Sequence, residues 1–123
     1  MEVELRAGKF IGMPIHWSDV DGVLLEPTGQ MQTFDMGELV RHRLLRQQFS
    51  PQSLAHARQE LLAELGSGFE AIVAGPYVIA APKGETDRWR QRFTSLLAGY
   101  TRYFEVRGWR LRKPDFPLCV IVF

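Results

Sequence analysis

Cysteine is nearly absent: Cys119 stands alone, which excludes an internal disulfide framework and any multi-cysteine metal cluster. No apolar run approaches the ~20 residues that a membrane-spanning helix needs, so no membrane span is expected. The opening MEVELRAGKF has neither the basic nor the apolar stretch of a secretory signal. Export would require a signal outside this sequence, and localisation is otherwise open. The three histidines, His16, His42 and His56, form neither His-x-x-x-His nor His-Glu-x-x-His, so a zinc-hydrolase motif is missing. The glycines at 8, 12, 66 and 68 lack the Lys-Ser/Thr ending of a phosphate loop. A dominant charge is missing too. Fifteen Lys and Arg against fourteen Asp and Glu leave +1, too little for the footprint of a nucleic-acid binder, and no nucleic-acid partner is expected.

What is present suits a packed soluble domain. Apolar residues make up 46% and charged residues 24% of 123, near the averages for globular chains. The charge is unevenly placed. Residues 1–40 carry seven acids against Arg6 and Lys9, whereas residues 85–113 carry eight bases against Glu85, Asp87 and Glu105.

The front of the chain reads as short strands. Phe10, Ile11, Met13, Ile15 and Trp17 give partial alternation over 9–17. Asp21-Gly22 marks a hairpin turn, 23–26 follows as a second strand, and 31–34 makes a third after Pro27-Thr28-Gly29. Three such strands predict a small SH3-like or meander unit. Residues 41–48 read as a polar bridge, either a helical turn or an exposed linker. A helix is then expected with Ser50 as N-cap, Pro51 in its first turn and Gly66 past its end. Residues 69–81 predict a hairpin broken at Gly75-Pro76. The longest helix opens near Thr86 and stops before Gly108. Its Trp89, Phe93, Leu96, Leu97, Tyr100, Tyr103 and Phe104 recur at helical spacing and are expected to cover a sheet face. Residues 118–123 form an unbroken apolar run, expected as a strand buried on both faces. The fold class is therefore α+β: a β-rich unit within 1–45, then an α-β-β-α-β unit within 46–123. The apolar, uncapped end of that last strand suggests a piece of a longer protein, whose remainder would cover it.

Asp19-Val20-Asp21-Gly22 resembles the first motif of haloacid dehalogenase-type phosphatases. That resemblance would make Asp19 a nucleophile and Asp21 a general acid beside Mg²⁺. A hairpin turn explains the same residues. No later acidic segment completes the metal site, and the chain is too short for that family's alternating sheet. An EF-hand loop starting at Asp19 fails as well, because Gln30 stands where the distal Glu belongs. Cys119 reads as a small core side chain. The large aromatics of the long helix read as core, while Trp17 and Trp109 flank turns and are candidates for a surface contact.

The C-terminal half also carries a wider resemblance. Residues 77–81, a helix ending in a Tyr/Phe and Gly pattern, and the segment Gly-Trp-Arg-Leu-Arg-Lys-Pro-Asp-Phe-Pro-Leu-Cys-Val-Ile-Val-Phe at 108–123 resemble a bacterial family of uncharacterised, gluzincin-type zinc-metallopeptidase-like proteins. The Gly-Met-Pro-Ile-His-Trp segment at 12–17 is similar to its N-terminal region. The resemblance implies that the zinc motif lies beyond the last strand. This chain would then be a non-catalytic front module with a scaffolding, substrate-docking or interdomain role, its partner being the C-terminal domain of the same protein. It implies no catalytic, cofactor-binding or metal residue within 1–123, and any zinc belongs to that C-terminal part. The alternative is a stand-alone binding module, self-associating through the 118–123 strand or its acidic and basic ends. A third reading is the Mg²⁺-dependent phosphatase at Asp19 and Asp21.

Overall fold

The computed structural model describes residues 1–123. The chain divides into two compact units, Met1–Pro51 and Gln52–Phe123, and its class is α+β, as expected.

The first unit holds six strands: β1 (Glu2–Leu5), β2 (Gly8–Ile11), β3 (Met13–Trp17), β4 (Asp21–Leu25), β5 (Met31–Asp35) and β6 (Leu39–Arg43). They form two three-stranded antiparallel sheets, ordered β2-β1-β6 and β3-β4-β5. This enlarges the single three-stranded unit expected from 9–35. The polar bridge at 41–48 is corrected in part, since its first residues belong to β6. Glu-Val-Glu-Leu in β1 alternates strictly: Val3 and Leu5 are buried, while Glu2 and Glu4 stand directly opposite Arg43 and Arg41 on β6 and pair with them. Opposed charges across a ladder favour its pairing, which offsets the poor strand propensity of so charged a segment. Val3 and Leu5 meet Leu24 and Phe34 in the core of this unit.

The expected strand over 9–17 is split at Gly12. A Cβ there would run into the Leu25 backbone carbonyl, and the Gly12 N–H donates to the Met1 carbonyl at 2.9 Å. A backbone that close leaves no room for continuous pleating.

The second unit contains α1 (Leu54–Leu65), β7 (Phe69–Ala74), β8 (Tyr77–Pro82), α2 (Thr86–Glu105) and β9 (Leu118–Ile121). The sheet order is β7-β8-β9, antiparallel in the first pair and parallel in the second. Ala57 and Leu61 of α1 bury against Ala71, Val78 and Ala80 on one face. On the other face, α2 lies against β7 and β8, with Phe93 of α2 and Tyr77 of β8 in ring contact at 5.3 Å. The alanines let both helices approach closely. α1 begins later than expected. Ser53, not Ser50, caps it, accepting from the His56 N–H at 3.1 Å, because the buried line of α1 starts only at Leu54.

Two burial expectations are corrected. In α2 the line that faces the sheet is Thr86, Trp89, Phe93, Leu97, Thr101 and Phe104, whereas Leu96, Tyr100 and Tyr103 are exposed. The apolar stripe is wider than the narrow sheet beneath it. β9 is shorter than the expected 118–123 and is not buried on both faces: it is an edge strand with Leu118 and Ile121 open to solvent, as is Phe123 just past it. No helix is long and apolar enough to cross a membrane.

Candidate functional site

The most unusual feature of the second unit is the free edge of β9. The Leu118 N–H donates to the Pro76 carbonyl at 3.0 Å, and the Val122 N–H donates to the Ala80 carbonyl at 2.8 Å. By strand alternation, the peptide groups of Cys119 and Ile121 then point away from β8 toward the open edge. Natural edge strands are commonly blunted by charge, bulges or cover. Here residues 117–123 hold no charged side chain. On the opposite edge strand, β7, the Ala71 carbonyl accepts a 2.6 Å bond from Arg58 of α1.

Cys119 is exposed, contrary to the core role expected from its apolar neighbours. Its thiol is pushed up from the usual range, first by desolvation and second by the Glu60 carboxylate. Neither effect favours the thiolate that a nucleophile needs.

Beside α2 lies a groove of about 780 Å³. It is lined by Leu96, Leu97 and Tyr100 of α2, by Gly75 and Pro76 at the β7–β8 turn, and by residues 111–114. Two of the exposed residues of the α2 stripe, Leu96 and Tyr100, therefore belong to a concave surface.

Asp19 and Asp21 lie in a different setting. Asp19 is in the exposed tip of the β3–β4 hairpin and Asp21 opens β4. The Asp21 carboxylate accepts from the Ser18 hydroxyl at 2.5 Å and pairs with the His16 Nε2 at 3.0 Å. The Ser18 bond first, and the His16 bond second, hold the Asp21 carboxyl below the usual aspartate range. The unfolded chain thus binds this proton more readily. The pair's contribution is present above the unfolded value and is lost as pH falls through the lower folded value. We expect Ser18→Ala to move the Asp21 titration upward, read by carboxyl carbon shifts. An unchanged titration would exclude Ser18 as the main cause.

Trp17 is only partly available for a contact. Its ring packs on Phe34 at 5.7 Å and on His42 at 4.9 Å. Trp109, just past α2, is 66% exposed. No group of three or more His, Cys, Asp or Glu is placed to hold a metal ion. The sequence offers 118–123 as a strand to be covered or paired, but an unbroken apolar run does not distinguish a central strand from an unprotected edge, so its exposure on one side is not legible there. Leu96 and Tyr100, on the second apolar line of α2, are the sequence signal for the groove. Comparisons with protein-family models, curated proteins and solved structures found no match to this chain.

Proposed function

We propose that this chain is a non-catalytic module of a larger, zinc-metallopeptidase-like protein, in which it docks a neighbouring segment by strand addition. The observation that carries the docking reading is the free, uncharged edge of β9. An added strand would satisfy the outward peptide groups at Cys119 and Ile121 and cover Leu118, Ile121 and Phe123. The metallopeptidase affiliation rests on the pattern at 77–81 and 108–123. Any zinc would be held by the part of the protein that receives this module, with no ligand from residues 1–123.

A proline at position 119 separates docking from folding. Its missing N–H faces the free edge, so the bonds from Leu118 and Val122 to β8 remain. In the protein expressed from its complete reading frame, we expect the Ile121 amide to exchange at least about tenfold more slowly than in this chain alone, the worth of one backbone hydrogen bond. Cys119→Pro should erase that gain while leaving β8 protected. Equal exchange at Ile121 with and without the substitution would sink the strand-addition reading. Edge pairing between two copies of this chain would appear instead as a mass that rises with concentration and falls back in the Cys119→Pro variant.

A further inference from the structure

We infer that the groove beside α2 binds a single-chain amphiphile with an anionic head group, its aliphatic tail along the groove and its head on Arg112 and Lys113. Its volume, about 780 Å³, falls within the range of roughly 300–1,000 Å³ typical of small-molecule sites. The walls are leucine side chains at 54, 96, 97, 111 and 118, with the rings of Tyr77 and Tyr100. Leu96 and Tyr100 are 61% and 56% exposed, so the groove is open to a ligand from solvent.

Charge complementarity selects the head group. Arg112 and Lys113 are the only charged residues on the lining, and no acid shares it. Neither forms an ion pair within the chain. As consecutive residues they gather the positive charge of the lining in one place. That pattern matches a molecule that is apolar along its length and negative at one end.

A peptide fits less well. Its backbone amides would lie against leucines and against Pro76 and Pro114, which offer no N–H. Unpaired amides buried in such a groove are costly. An alkyl chain carries no such groups.

Of the residues that an added strand would meet, only Leu118 also lines the groove, while Cys119 and Ile121 do not. The test is calorimetric titration of the whole chain with dodecanoate, tetradecanoate and hexadecanoate below their micellar concentrations. Dodecanol and dodecyltrimethylammonium serve as head-group controls. We expect one site per chain, with affinity rising about fourfold per added methylene until the groove is filled. Dodecanoate should bind ahead of both controls.

Arg112→Glu/Lys113→Glu changes two exposed residues and should leave the melting temperature unchanged. It should weaken carboxylate binding by about tenfold or more and favour the ammonium amphiphile instead. Leu96→Gln, also exposed, should weaken all three carboxylates. Cys119→Pro should leave carboxylate binding intact even where it abolishes docking. Absence of saturable binding would overturn the assignment. So would equal affinity for the three head groups, insensitivity to the charge reversal, or binding to anionic phospholipid vesicles with none to the free carboxylates.

Discussion

Ile79→Ala is expected to destabilise the second unit by about 2–5 kcal/mol, the range for removing large aliphatic side chains from tight cores. Ile79 is fully buried on the central strand, between Ile72 of β7 and Val120 of β9. It shares its sheet face with Tyr77 and Ala81, the face covered by α2. Alanines at 80 and 81 already bring the backbone layers close, so little material is left to collapse into the space. The loss is measured most directly from the slowest-exchanging amides of β8, because a two-unit chain need not unfold in one step. A loss below about 1 kcal/mol would mean that α2 does not pack tightly on this face.

Gly22→Val is expected to cost the first unit about 3 kcal/mol or more. Gly22 pairs directly across the ladder with Phe34, whose ring lies over the glycine where a Cβ would stand. Phe34 is 4% exposed and also carries the Trp17 ring, so it has no free direction in which to move. Overpacking of this kind costs about 1–3 kcal/mol, and expelling the ring forfeits part of the roughly 1.5–3 kcal/mol gained by burying it. Phe34→Ala alone should cost about 3–5 kcal/mol. The double variant should cost clearly less than the sum, because valine fills space the ring vacates. Strict additivity in thermal unfolding would show that Gly22 and Phe34 do not compete for one volume.

Gly22 also explains why the Asp19–Asp21 motif was legible in two ways. The expected turn is corrected: the bend lies at Asp19 and Val20, while Asp21 and Gly22 stand in β4, where the glycine makes room for the Phe34 ring. In the fold, His16 and Ser18 occupy the Asp21 carboxylate.

The helices and the β7–β8 hairpin could be read from the sequence because their signals are local: Gly66, Gly75-Pro76, Asp87 and Gly108 punctuate strong apolar periods. Two strands were not read. β1 is four residues long and half acidic, and β6 ends in Arg-His-Arg. Their pairing depends on Glu2 finding Arg43 and Glu4 finding Arg41, a long-range match invisible in either segment by itself. The Arg43 bond, the largest influence on Glu2, holds its carboxyl below the usual range. Burial was misread wherever it depended on sheet width. Three strands cannot cover both apolar lines of α2, and β9 is the edge of the sheet in the second unit. Those two uncovered surfaces are the candidate site.

The most direct test of the account is amide exchange across residues 118–123, in this chain alone and in the protein expressed from its complete reading frame. The account predicts fast exchange at Cys119 and Ile121 in the isolated chain. It predicts slowing at both by at least about tenfold in the longer protein, with Val120 protected in both. Unchanged rates at Cys119 and Ile121, or a reading frame that supplies no further segment, would contradict strand addition as the work of this module.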